Sequence, residues 1–215
     1  MFGTMIDEIR PQKGRLVGLY SEGELVCSLD SGLAAEKVLK PGRYADSDLR
    51  ELLSESMLRR AKSKALYLLN FRDYTRRDIA ARLRSDKEYD EVSIEAALDY
   101  LTEIGAIDDA RYAENMARHL INHKRYGRRR IVQELVAKGI DRDTAEEVLS
   151  QFDTDELSAI AELLENKFSR DLGDDKGIRR TIASLQRYGY EMSDIRHALE
   201  EYKESVEETE ETEET

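Results

Sequence analysis

The sequence predicts a mainly α-helical fold of three tandem three-helix repeats, helix-turn-helix-like, forming an elongated curved array behind a small N-terminal β-hairpin region. Three observations predict it. The 215 residues include only two prolines and no tryptophan, and are rich in Leu, Ala, Glu and Arg, a balance that favours helix. Beyond residue 45 apolar residues recur at helical spacing. An apolar pattern also returns about every 50 residues.

Residues 1–45 read differently from the rest. Arg15–Tyr20 and Glu24–Leu29 are short β-like runs separated by Ser21-Glu22-Gly23, which is a hairpin signal. Lys40-Pro41-Gly42 then breaks the chain before helical patterning begins.

The repeat lies in three aligned pairs: Ile79/Leu83, Ile131/Leu135 and Thr181/Leu185, stepping by 52 and 50 residues. Each is followed by a break and a second pair: Ile94/Leu98, Ala145/Leu149 and Ile195/Leu199. Gly139 and Gly189 stand where a helix would end in a left-handed residue. Asp90, Asp141 and Glu191 precede the second pairs; the two Asp suit an N-cap and Glu suits the helix dipole. A longer helix opens each unit, near Glu55–Asn70, Asp109–Lys124 and Asp155–Ser169. The expected division is an extension over 1–45, repeats over 46–107, 108–152 and 153–203, and a disordered acidic tail over 204–215. Units this short bury little surface alone, so neighbours are expected to stack.

Charge is unevenly spread. The tail from Glu204 holds seven Glu and no basic residue, and so carries −7 of the total −12. Arg59–Arg84 has nine Lys/Arg against two Asp, and Arg118–Lys138 has seven against one Glu. Two basic segments are thus hidden under an acidic total, and their placement matters more than the sum.

Arginines are expected at the start of the middle helix of every unit: Arg76 and Arg77; Arg128, Arg129 and Arg130; Arg179 and Arg180. A helix N-terminus carries partial positive charge, so cations there cost roughly 0.3–1 kcal/mol. An anionic partner would compensate, through phosphates or carboxylates. The plainer alternative is solvated arginine paired with Asp73, Asp78, Asp174 or Asp175. Tyr74, Tyr112, Tyr126 and Tyr188 lie near the basic clusters and could stack on bases, although tyrosines at helical spacing are usually core residues. Asp108-Asp109 reads as a cap with a first-turn acid.

Enzyme chemistry finds no foothold. His119 and His123 share a helix face but lack the glutamate of HExxH and any further Cys or His for a zinc site. There is no GxxxxGK[ST] or GxSxG, and Asp171–Gly177 is too acidic and short to cradle phosphates. No catalytic residue, cofactor or metal is expected. The single cysteine, Cys27, cannot form an internal disulfide, and no apolar run approaches the roughly 20 residues of a membrane span, so a cytoplasmic chain is expected.

At its repeats the sequence resembles the RecX regulatory family. Gly105–Ala113, with its Asp pair and Tyr-Ala, resembles the family's link between first and second repeats. Tyr126–Ile140 resembles its most recognisable stretch, and Leu185–Tyr190 followed by Ile195 its closing repeat. The sequence departs from the family at Arg128, where proline is common, at Ala106, where a larger apolar residue is usual, and at Tyr188, where a basic residue is frequent. The resemblance implies a non-catalytic monomeric protein that binds RecA and the RecA–single-stranded DNA filament and inhibits strand exchange and ATP hydrolysis. That role lies in DNA repair, recombination and the SOS response, with weak direct DNA binding in some members. A different reading is a helix-turn-helix transcription regulator, but Asp141, Asp143, Glu191 and Asp194 at the starts of the third helices would repel a DNA groove.

Overall fold

The computed structural model describes residues 3–213, and the side chains of 3–206. By its contacts the chain divides into two compact units, Met1–Asp108 and Asp109–Thr215.

The first unit opens with strands β1 (Gly3–Ile6), β2 (Glu8–Gln12), β3 (Leu16–Ser21) and β4 (Glu24–Asp30), a short helix α1 (Ser31–Glu36) and β5 (Gly42–Ala45). The expected hairpin is β3–β4, turned by Glu22 (φ 51°) and Gly23 (φ 83°). Two successive left-handed residues match the twist of a tight hairpin, which is why Gly stands second. The extension holds more than a hairpin. β2 adds to β3 in a three-stranded antiparallel sheet, and β1 pairs with β5 from Gly3 opposite Ala45 to Ile6 opposite Gly42. That second pairing joins segments some 40 positions apart, beyond any local pattern. Ile6, Leu19 and Leu29 form a small core closed by Leu49.

Leu49 belongs to α2 (Asp46–Leu69), which begins nine positions before the expected Glu55. The extra turns cover the sheet with Leu49, Leu52 and Leu53, and the later turns bring Ala61 and Ala65 to the first repeat. One helix thus serves two cores. It is followed by α3 (Arg76–Ser85) and α4 (Glu91–Glu103), whose N-cap Asp90 accepts from the Ser93 amide at 2.7 Å.

In the second unit α5 (Asp109–His119) passes into a π-helical turn, Leu120–Lys124, and is stopped by Arg125 in the left-handed region (φ 52°). Then come α6 (Arg128–Ala137) and α7 (Arg142–Ser150), capped by Asp141. α8 (Glu156–Leu163) again passes into a π turn, Leu164–Phe168, and a 3₁₀ turn, Ser169–Asp171. α9 (Asp175–Tyr188) and α10 (Met192–Glu213) complete it.

Each three-helix group has its own core. Leu83, Leu135 and Leu185 are fully buried, as are Ile79 and Ile131, and Thr181 at the matching position is 1% exposed. Each such Leu contributes roughly 1.5–3 kcal/mol by leaving water. Gly139 (φ 94°) and Gly189 (φ 98°) are the left-handed residues the breaks required. The disorder expected over 204–215 is corrected for its first part: α10 continues helical to Glu213. Glutamate is a good helix former, and a helix already nucleated in a packed core extends at little cost. Residues 214 and 215 lie outside the described residues.

Candidate functional site

Arg76 and Arg77 stand in the first turn of α3, as expected. Thr75, itself buried, caps the helix by accepting from the Asp78 amide at 3.1 Å. Arg76 reaches across to α4, where Glu95 and Asp99 are one turn apart, and donates to them at 2.8 and 2.7 Å. The unfavourable charge at this helix start therefore finds its counter-charge inside the fold. Arg77 is exposed.

The start of α6 is more elaborate. Its N-cap, Gly127, has no capping side chain. Instead the Gly127 amide donates to the Tyr188 carbonyl at 2.9 Å, and the Arg128 amide donates to Glu156 Oε1 at 2.7 Å. The carbonyl end of α9 and a carboxylate from α8 thus face the positive end of α6, which is the electrostatic complement that this helix start needs. The approach is close enough to require glycine on both sides. A Cβ at Gly127 would lie 2.8 Å from the Gly189 backbone, and one at Gly189 would lie 2.4 Å from the Arg130 amide nitrogen. Tyr190, 1% exposed, donates its hydroxyl to the Arg125 carbonyl at 2.8 Å, and burial pushes its pKa upward. Arg125 in turn pairs with Glu162 at 2.7 Å.

Burial also raises the Glu156 carboxyl above its usual range; the Arg128 amide pulls the other way, and Asp194 and Glu191 push it further up. Arg130 pairs with Glu134 one turn on at 2.6 Å and lies 5.7 Å from the Tyr126 ring, which meets Tyr188 edge-on at 5.5 Å. The Arg128 guanidinium reaches the Glu146 carbonyl at 3.4 Å, and its charge also favours the Glu156 carboxylate. Arg129 is exposed, with no ion pair among the described residues.

The third arginine pair requires a correction. Arg179 and Arg180 fall in the second turn of α9, not the first. The helix starts at Asp175, with Asp174 accepting from the Gly177 amide at 2.5 Å. Gly177 is required in this first turn: a Cβ would sit 1.8 Å from the Asp171 carbonyl oxygen. No dipole penalty therefore attaches to this pair. Arg180 lies 3.3 Å from Asp171, and Arg179 is exposed without an ion pair among the described residues.

Of the seven expected contact residues, Arg76, Arg130 and Arg180 thus hold carboxylates of their own chain, those of Glu95 and Asp99, of Glu134 and of Asp171. Arg129 and Arg179 hold no carboxylate among the described residues, and Arg128 meets that of Glu156 through its backbone amide. Tyr74 is buried between Arg72 and Arg82, with guanidinium carbons 4.5 and 4.6 Å from its ring, and Tyr112, Tyr126 and Tyr188 pack against cores. All four serve packing. The His119 and His123 rings lie 5.0 Å apart, and no group of three or more His, Cys, Asp or Glu among the described residues could hold a metal. No described helix is long and apolar enough to cross a membrane. Sequence reasoning missed Glu156 and Tyr190 altogether; Tyr190 sits beside the break at Gly189, and only its position after a left-handed glycine hinted at burial.

Comparison with known proteins gives one answer. Residues 61–101 match the family model for the first three-helix domain of RecX, and residues 108–149 match that for the second. The chain is 30% identical over 206 residues to the regulatory protein RecX of Clostridium acetobutylicum, covering 92% of this chain and 94% of that one. It is 29% identical over 175 residues to the RecX of Clostridioides difficile, covering 80% and 81%. Among solved structures, a crystal structure of regulatory protein RecX shares the fold at TM-score 0.68 and 22% identity, over 93% of this chain and all of that one. RecX from Lactobacillus salivarius aligns at TM-score 0.61 and 26% identity, over 67% and 96%.

Proposed function

The chain belongs to the RecX family of regulatory proteins, and from that premise we propose that it is a non-catalytic cytoplasmic regulator that binds RecA and the RecA–single-stranded DNA filament and restrains it. The observation that carries the reading is the pair of exposed arginines without an ion pair among the described residues, Arg129 and Arg179, with the exposed Arg128 next to Arg129 in the stretch that resembles the family's most recognisable one. Acidic RecA surface or DNA phosphate would supply their counter-charge. Arg77 joins them on its exposure alone, whereas Arg76 and Arg130 pair within the fold and Arg180 meets Asp171 loosely at 3.3 Å. A filament repeats its surface, so contacts from separate repeats, each weak, would add through effective concentration. The domain division that goes with this reading is the extension over 1–45, repeats over 46–107, 108–152 and 153–203, and the acidic tail.

The test is the single-stranded-DNA-dependent ATPase of RecA, measured against rising concentrations of the chain. The variant Arg128→Glu/Arg129→Glu spares the Arg130–Glu134 pair and is expected to leave the helical spectrum unchanged. It is expected to lose most of the inhibition. Inhibition equal to that of the parent chain would reject the assignment of these arginines.

A further inference from the structure

Thr181 occupies the repeat position that Ile79 and Ile131 fill in the other two repeats. All three are buried, yet the Thr181 hydroxyl has no hydrogen-bond partner among the described residues. A buried hydroxyl without a partner costs roughly 1–3 kcal/mol against an apolar replacement, so its presence at a core position calls for a reason. Beside it opens a cavity of about 350 Å³, lined by Phe168, Asp171, Arg180, Thr181, Ser184 and Arg187. Arg180, Ser184 and Arg187 are spaced i, i+4 and i+7 on α9, so they share one face. Phe168 and Asp171 come from the π and 3₁₀ turns that end the preceding helix, and π turns recur at functional positions. Asp171 is held there by its carbonyl's close seat against Gly177.

We infer that this cavity is an anion site for a phosphate group, with Arg180 and Arg187 as the charged donors and the Ser184 and Thr181 hydroxyls beside them. Asp171 is the internal stand-in. Its carboxylate meets Arg180 at 3.3 Å, looser than the roughly 2.7–2.9 Å of a good charged hydrogen bond, so an entering phosphate displaces a weak partner. Arg187 donates to Ser184 Oγ at 3.0 Å and has no ion pair among the described residues. Ser184 gives its own proton to the Arg180 carbonyl at 2.9 Å, which turns its lone pairs toward Arg187 and leaves phosphate to be held mainly by guanidinium. Two cations against one carboxylate leave the empty site positive. Its volume falls at the small end of ligand sites, roughly 300–1,000 Å³, and suits one charged group rather than a large organic ligand. The phosphate belongs either to a nucleic-acid backbone or to a free ion.

The experiment needs no RecA, so its outcome is separable from that of the proposed function. The full chain, labelled with ¹⁵N, is titrated with inorganic phosphate and, in a second arm, with an oligothymidylate. Phosphate is expected to shift the amide resonances of Thr181, Ser184 and Arg187. Arg180→Gln and Arg187→Gln are each expected to weaken it by about tenfold or more, and Arg196→Gln, exposed on α10 and outside the cavity lining, to leave it unchanged. Competition by the oligonucleotide assigns the site to a backbone phosphate; phosphate binding without competition assigns it to the free ion. Absence of shifts at α9 with both probes, or equal weakening by Arg196→Gln, overturns the inference.

Discussion

Three glycine substitutions separate backbone strain from collision, two of them at the junction between the second and third repeats and one, Gly105, at the end of the first repeat. Gly105 has φ +69° and open space within 4 Å of where a side-chain methyl would stand, so Gly105→Ala incurs backbone strain alone, about 1–2 kcal/mol. Gly127 has an ordinary φ of −72° but would drive its Cβ to 2.8 Å from the Gly189 carbonyl. Gly127→Ala thus incurs collision alone, and overpacking of this kind costs roughly 1–3 kcal/mol. Gly189→Ala combines φ +98° with a 2.4 Å approach to the Arg130 amide, for about 2–5 kcal/mol. Because both collisions arise at one contact, the Gly127→Ala/Gly189→Ala double variant should cost less than the two singles added. Urea unfolding followed by circular dichroism gives the ranking, and hydrogen exchange at the Gly127 amide reports the junction itself. Gly127→Ala equal in stability to the parent chain, with exchange unchanged, would refute the close packing of α6 against the end of α9.

Two polar groups, one half-buried and one buried, supply the other predictions. Glu156 has its folded pKa raised, chiefly by burial, so the folded state holds the proton more tightly than the unfolded one. Its contribution to stability is therefore fully present below the unfolded carboxyl pKa and is lost as pH rises through the folded value. Glu156→Gln keeps an acceptor for the Arg128 amide, and melting temperature against pH should decline less steeply above the carboxylate range; an unaltered profile counts against this. Thr181→Val removes an unpartnered hydroxyl at nearly constant volume. It should raise stability by about 1 kcal/mol, and a loss of that size would mean that the hydroxyl has a partner.

The repeats were legible because their periodic positions are the cores: Ile79/Leu83, Ile131/Leu135 and the rest are buried where the spacing places them. Caps at Asp90 and Asp141 and left-handed ends at Gly139 and Gly189 are local chemistry, and local chemistry can be read along a chain. What escaped was non-local. β1 and β5 are four residues each and are defined by one another; β2 contains Pro11 and is half-exposed. The carboxylates that answer Arg76 lie on another helix, and those around the α6 start belong to the next repeat. The arginine ladder was thus visible as a list, while its division into internally paired and outward residues was not. Glu204–Glu213 carries a disorder signature in its charge, yet continues a helix already begun.

The central claim is that exposed arginines of a RecX-family chain meet a RecA assembly. Cosedimentation of the purified chain with RecA, bare and loaded on single-stranded DNA, over a series of salt concentrations tests it most directly. The account predicts that the chain pellets with the filament at low ionic strength and is released as salt rises, with Arg128→Glu/Arg129→Glu released at lower salt than the parent. A chain that stays in the supernatant with both forms of RecA at low salt would contradict it.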